Sequence, residues 1–440
     1  MRPLRLRARW AIPVDRPVIP DAAILIGADG RIEEIGPDAT IPLPPDGESI
    51  DLGSAILMPG LVNVHTHLEL TGFHDLTPDR PFREWILEIR ERKERRSEAQ
   101  FLEAALTGIR DCWAGGVTTV ADTGDSGAAL RALAELEGSG IVYQEVFGPH
   151  PGQLEESFAG LASRVDALRP LLRPRLRLGV SPHAPYTVSG PLYARVAAWA
   201  RAERLRMAVH VAESRAESDF VARDTGPFAE AWSRRGIPPV SDASHHSSAG
   251  PVGSAPSSPV EWLDRHGVLG PDTLVIHAIQ LSAADIAILA ARGVAVAHCP
   301  ISNARHGHGD APLEALRAAG IRIGLGTDSV ASVGSLDLMA EARAARRLAG
   351  LSALETVSLA TLDGARALGL EADIGSLTPG KWADLAAIRP GTGAPDSDSD
   401  PLERVLASAP GDTQLTVLGG RMVYRRETAA LDPARGRSVV

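Results

Sequence analysis

With 44% hydrophobic and 23% charged residues, a chain of 440 residues has enough apolar side chains to fill a large core, which excludes a disordered or fibrous protein. Its formal charge of −10 argues against a nucleic-acid partner, because phosphate binding draws its affinity from clustered cations. A small-molecule substrate is expected instead.

The opening Met1-Arg2-Pro3-Leu4 lacks the apolar core of a signal peptide, and no stretch approaches the roughly 18 apolar residues of a membrane span, so a cytoplasmic protein with no membrane partner is expected. Residues 1–57 read as short strands and turns. Asp29-Gly30, between the alternating runs Ala23–Gly27 and Arg31–Gly36, is a hairpin signal. The same texture returns in Ala383–Ile388 and Leu415–Tyr424, so residues 1–57 and 375–440 are expected to build one composite β domain. Between them, over 58–374, apolar runs alternate with helical patterns, the signature of a parallel α/β fold. Eight runs are strand candidates: Leu61–His65, Val117–Ala121, Ile141–Phe147, Leu176–Ser181, Met207–Val211, Thr273–His277, Val294–His298 and Ile321–Gly326. Eight such units suggest a closed barrel, whose active site is built at the C-terminal ends of the strands. Residues 239–258, rich in Ser, Gly, Ala and Pro, cannot pack a core and read as a flexible surface loop; His245 and His246 within it are left out of the site.

The first barrel run ends in His65-Thr66-His67. In a strand the period of two puts both imidazoles on one face, a metal-binding geometry. Later runs end in further polar groups: His210 with Glu213 three residues on, His277, His298 and Asp328. Cys112 and Cys299 are too few for a thiolate zinc site, so histidine and carboxylate must hold any metal.

These residues sit in segments that resemble the amidohydrolase superfamily, in its branch of deaminases and chlorohydrolases. That branch includes methylthioadenosine and S-adenosylhomocysteine deaminases, aminodeoxyfutalosine deaminase and triazine hydrolases. The matching segments are Pro59-Gly60-Leu61-Val62-Asn63-Val64-His65-Thr66-His67, Ser181-Pro182-His183-Ala184-Pro185-Tyr186-Thr187, His210-Val211-Ala212-Glu213 and Ser258–Leu263. To these are added His277-Ala278, His298-Cys299-Pro300-Ile301-Ser302-Asn303, Gly324–Ser329 and Gly375–Leu385, in collinear order over most of the chain.

The resemblance implies a (β/α)8 TIM barrel beside a composite β-sandwich, with one divalent metal at the mouth held by His65, His67, His210 and Asp328. Three neutral imidazoles and a carboxylate suit Zn²⁺, and also admit Fe²⁺ or Mn²⁺. The implied reaction is hydrolytic deamination: Asp328 accepts the proton of an activated water, Glu213 protonates a ring nitrogen, and His277 orients the water or stabilises the adduct. His183, His298 and Asn303 are substrate-side candidates. Trp85 either stacks on a heteroaromatic ring or packs as a buried helix residue. Glu94 falls where nucleoside deaminases keep a carboxylate for ribose hydroxyls, but it stands in the charge run Arg90–Arg96, which also reads as a solvated helix face. Glu69, directly after His67-Leu68, either meets a substrate hydroxyl or amine or pairs with an arginine.

The expected substrate is an aminated purine or nucleoside-like molecule of the aminodeoxyfutalosine, methylthioadenosine or adenosylhomocysteine type. The last of these calls for arginine at its amino-acid carboxylate, yet Ile141–Pro149 has none and carries Glu145 instead. Displacement of another leaving group is the alternative: from a triazine, from a guanine- or cytosine-type base, or from a cyclic amide. A non-catalytic metal-binding barrel predicts damaged catalytic positions, and none is damaged. Assembly into a homo-oligomer is left open.

Overall fold

A computed structural model describes residues 2–76, 78, 80–242, 256–391 and 400–426. His245 and His246, and most of the 239–258 segment, lie outside the described residues.

Five short strands open the chain: β1 (Leu4–Ala11), β2 (Ile19–Ile26), β3 (Ile32–Pro37), β4 (Glu48–Asp51) and β5 (Ile56–Pro59). Eight more follow, alternating with helices: β6 (Leu61–Thr66), β7 (Val117–Gly124), β8 (Gly140–Val146), β9 (Leu176–Pro182), β10 (Arg206–Val211), β11 (Thr273–His277), β12 (Ala295–His298) and β13 (Arg322–Leu325). The chain closes with β14 (Leu385–Ile388), β15 (Thr413–Leu418) and β16 (Arg421–Arg425).

Strands β6 to β13 form one parallel sheet in sequence order. Strands such as β11 and β12 are buried along their whole length, which explains why they read as nearly continuous apolar runs. The sheet closes on itself. The Asp328 N–H donates to His65 O at 3.0 Å, and Asn63 bridges the first and last strands by donating from Nδ2 to Thr327 Oγ1 (2.8 Å) and accepting from the Thr327 N–H (3.1 Å). Gly326 is required at this seam, since a Cβ there would lie 2.6 Å from His65 Cβ. The fold is a TIM barrel, with its histidines carried to the C-terminal mouth.

The two chain ends form a second, eight-stranded sheet in the order β16-β15-β14-β5-β1-β2-β3, with β4 paired to β1. The β2–β3 hairpin turns through Asp29-Gly30, where Gly30 has φ 82°. Leu6, Ile24 and Ile32 from one half share a buried cluster with Leu57, Leu385 and Val417 from the other, so the sheet covers its own apolar face as a sandwich. Among the described residues no helix is long and apolar enough to cross a membrane.

Candidate active site

Five polar side chains converge at the barrel mouth. His65 lies in β6 and His67 just past it, His210 lies in β10, His277 ends β11, and Asp328 follows β13. Ring centroids stand 4.8 Å apart for His65 and His67, 5.0 Å for His65 and His210, and 5.5 Å for His67 and His210. Asp328 Oδ1 is 3.6 Å from His65 Nε2 and 3.5 Å from His67 Nε2. Both ring nitrogens of His65 and Nδ1 of His210 are buried without a hydrogen-bond partner. Leaving such atoms unpaired is costly, and a divalent cation would satisfy them. The donor set therefore fits a metal ion: ligand atoms of His65, His67 and Asp328 lie within 4.8 Å of one another, as do those of His65, His210 and His277. Burial holds His65, His67 and His210 below the ordinary histidine value, keeping their lone pairs free. Burial works against the Asp328 carboxylate, but the surrounding imidazoles prevail and hold its pKa well below the usual range.

The turns that carry these groups are strained. Ala212 (φ 54°), His277 (71°), Ala278 (51°) and Asp328 (62°) all adopt left-handed backbone conformations that non-glycine residues avoid, at a cost on the order of 1–3 kcal/mol each. Hydrogen bonds hold them there. Glu217 accepts from the N–H groups of Ala212 (2.8 Å) and Glu213 (3.0 Å). Asp328 accepts from Ser302 Oγ (2.6 Å) and from the Ser329 N–H (2.7 Å). Asp122, in β7, accepts from Thr66 Oγ1 (2.9 Å) and the Leu68 N–H (2.7 Å), fixing the turn that contains His67.

Glu213 is buried beside this cluster, its Oε1 3.5 Å from His277 Nε2. Burial, with the nearby charges of Asp328 and Glu217, raises its pKa well above the usual carboxylate value, which favours the protonated acid. His277 Nδ1 donates to Asn303 Oδ1 at 3.0 Å, which leaves Nε2 as the lone-pair nitrogen. Burial lowers the His277 pKa to about 4. His298 is buried with both ring nitrogens unpaired. His183 shares a 2.9 Å bond with Thr187 Oγ1, and its ring lies 4.8 Å from that of His210. These residues are brought together at the mouth.

Three other sequence candidates have different surroundings. Trp85 is buried in an apolar cluster with Leu70, Phe73 and Leu76, stacked on Phe82 at 6.0 Å. Glu94 is not brought to the cluster: its side chain is 61% exposed and accepts from Arg90 at 2.8 Å, an i,i+4 pair on the solvent face of helix Phe82–Glu94. The inward position belongs to its neighbour Lys93, which pairs with Glu69 and, at 2.5 Å, with Asp125. The Glu69 carboxylate thus pairs with a lysine and with Ser126, while the Arg96 side chain donates to the Glu69 carbonyl at 2.8 Å. Glu145 is buried with Oε1 unpaired, and its carboxylate has ligand-atom neighbours in His183 and His210 within 4.8 Å.

The sequence reading passes over Asp122, Glu217, His308 and Lys93. A signal existed for Glu217, since Ser214-Arg215-Ala216-Glu217 is a helix-start pattern in which Ser214 caps Glu217 N. It does not disclose that the carboxylate turns back onto the strained Ala212-Glu213 backbone.

Comparison with known proteins adds relatives to this geometry. The chain matches the profile of the Amidohydrolase family over residues 56–231 and 241–423. A 5-methylthioadenosine/S-adenosylhomocysteine deaminase of Moorella thermoacetica is 30% identical over 435 residues, covering 96% of this chain and 94% of the relative. An aminodeoxyfutalosine deaminase of Deinococcus radiodurans is 34% identical over 319 residues, covering 72% and 74%. Among solved structures, a zinc-bound adenosine deaminase from Xanthomonas campestris superposes with a TM-score of 0.80 at 26% identity, covering 95% of this chain and 92% of that one.

Proposed function

The chain belongs to the amidohydrolase family and is a hydrolase of carbon–nitrogen bonds outside peptides; from that premise we propose that it is a metal-dependent hydrolytic deaminase releasing ammonia from an aminated purine nucleoside. The observation that carries this reading is the buried Glu213 carboxyl standing 3.5 Å from His277 beside a cluster of unpaired imidazole nitrogens. His65, His67, His210 and Asp328 would hold the metal, and their chemistry together with the zinc of the Xanthomonas campestris neighbour favours Zn²⁺. When bound, such an ion supplies Lewis-acid chemistry that lowers the pKa of water toward neutrality.

The protein's own groups then divide the proton work. Asp328, ionised, accepts a proton from the attacking water. Glu213 delivers its proton to the ring nitrogen next to the amine-bearing carbon, so that the carbon accepts the water oxygen without building a ring anion. His277, whose Nε2 lone pair is fixed by the bond from Nδ1 to Asn303, orients the water. The proton taken up by Asp328 passes to the amine, ammonia leaves, and the adduct hydroxyl gives its proton back to Glu213 as the carbonyl forms. Glu145, with no arginine in Ile141–Pro149, supports a methylthioadenosine- or aminodeoxyfutalosine-type substrate ahead of adenosylhomocysteine.

A panel of methylthioadenosine, aminodeoxyfutalosine, adenosylhomocysteine, adenosine, guanine, cytosine and a chlorotriazine, assayed for ammonia and chloride with metal-replete protein, tests the reading. Ammonia from at least one aminopurine nucleoside is expected. Chloride from the triazine with no ammonia from any nucleoside would overturn it.

A further inference from the structure

One buried histidine near Glu213 has no part in the reaction as described so far. His306 and His308, joined by Gly307, follow helix Pro300–Arg305, and their rings stack with centroids 5.4 Å apart. The His308 ring meets Phe82 edge-on at 4.5 Å. Its side chain is 7% exposed, and Nε2, without a hydrogen-bond partner, points at Glu213 Oε1 from 3.6 Å. His277 Nε2 approaches the same oxygen from 3.5 Å, so Oε1 is bracketed by two imidazoles. The main chain of His308 is fastened on both sides: its N–H donates to Asn303 O (3.0 Å), and its carbonyl accepts from Gln280 Nε2 (2.6 Å). Asn303 therefore sets both imidazoles, His277 through its side chain and His308 through its backbone.

The two imidazoles are not equivalent. His277 donates from Nδ1 to Asn303, so its Nε2 offers a lone pair and cannot support a carboxylate. No hydrogen bond among the described residues commits His308 Nδ1 as a donor, which leaves the ring proton free to reside on Nε2. We propose that His308 is a positioning residue for proton transfer, its Nε2–H holding the Glu213 carboxylate through Oε1 once Glu213 has protonated the substrate ring. This inference rests on Glu213 being the proton donor of the deaminase reading. A separation of 3.6 Å exceeds a hydrogen bond, but negative charge appearing on Glu213 draws the N–H inward, as catalytic contacts tighten along a reaction. The groups facing Glu213 are His277 from β11, His308, Cys299 just past β12, Asp328 beyond β13, Glu217 from helix Arg215–Arg223 and Tyr186 beyond β9. Of the two imidazoles that approach Oε1, His308 is the one whose Nε2 is free to carry the proton.

The test is the pH profile of kcat/KM for metal-replete protein with the best nucleoside of the panel. Glu213 must be protonated to act, so activity falls as pH rises through its pKa. A donor to its carboxylate lowers that pKa. His308→Leu should therefore move the alkaline limb up by about one pH unit and lower kcat about tenfold with a smaller change in KM. His308→Gln, which keeps an N–H at similar reach, should bring the limb back toward the wild-type position. In a Glu213→Gln background, His308→Leu should cause no further loss. An unmoved limb, identical behaviour of the Leu and Gln variants, or additivity with Glu213→Gln would overturn the proposal. If His308→Leu melts early or loses metal, His308→Met against His308→Gln reads the same comparison. Wild-type protein that releases no ammonia defeats the deaminase reading, and this inference with it; a normal wild-type profile with an unmoved limb in the variants defeats only the role of His308.

Discussion

Asp328 and Glu213 are carboxylic acids a few residues from strand ends in the same mouth, yet their pKa values are pushed in opposite directions. The imidazoles lower the pKa of Asp328 and favour its ionised form, whereas burial and like charge raise that of Glu213 and favour its protonated form. Separation of an acid from a base in this way is how one site moves protons both ways at neutral pH. Asp328→Asn should lower kcat by about 10³-fold or more with an unchanged circular dichroism spectrum; retained turnover would remove its assigned role. Glu213→Gln should lower kcat by about 10²- to 10⁴-fold while metal analysis shows the ion still bound, because Glu213 is not among the ligands. Lys93 and Glu94 give a second contrast between neighbours in sequence. Burial works against the Lys93 ammonium, but Glu69, Asp125 and Glu145 hold its pKa well above the ordinary value. Lys93→Met strands the buried Glu69 and should cost about 3–5 kcal/mol in denaturant unfolding. Glu94→Gln, on the solvent face, should stay within about 0.5 kcal/mol and leave kcat/KM unchanged; a raised KM there would restore a substrate role to Glu94.

At the scale of the element, strand ends are where the chemistry sits, and the strands were the most legible part of the chain. Leu61–His65 and Thr273–His277 are mainly apolar runs because both faces of a parallel strand are buried, and the observed strands β6 (one residue longer, to Thr66) and β11 cover them. His65 and His67 were readable as a pair because the strand period put them on one face, and Asp328 and Glu213 because their motifs match a family. The turns between elements were not readable in the same way. Nothing in the local pattern of Ala212-Glu213 announces a positive φ, and Glu217 and His308 reach Glu213 only through backbone geometry fixed by distant contacts. The turn after β10 makes this measurable. Glu217→Ala removes the acceptor for two N–H groups that hold Ala212 at φ 54°, so the turn should relax, the melting temperature should drop by several degrees and kcat should fall by about 10²-fold. Unchanged kcat at a lowered melting temperature would make Glu217 a stability residue only.

For the molecule as a whole, concentrating titratable groups in one dry mouth ties stability to pH. Burial lowers His183 to about 3 and His277 and His298 to about 4. These rings stay neutral in the folded chain while the same residues take up protons in the unfolded chain below about 6.5, so their contribution is lost as pH falls toward 4. Glu217 and Asp122 act in the reverse sense. Burial raises them to about 7 and about 8, so the folded chain keeps protons that the unfolded chain releases above about 4, and stability declines as pH rises toward 8. Metal-free protein should therefore melt highest near pH 6 and lower on both sides, and a melting temperature that climbs steadily to pH 8 would contradict this balance. The most direct test of the central claim is to strip the protein with a chelator, titrate Zn²⁺ back, and follow ammonia release from the preferred nucleoside. The account predicts no release from the metal-free protein, a linear rise to a plateau at about one ion per chain, and no recovery in Asp328→Asn. Full ammonia release by the stripped protein would contradict it.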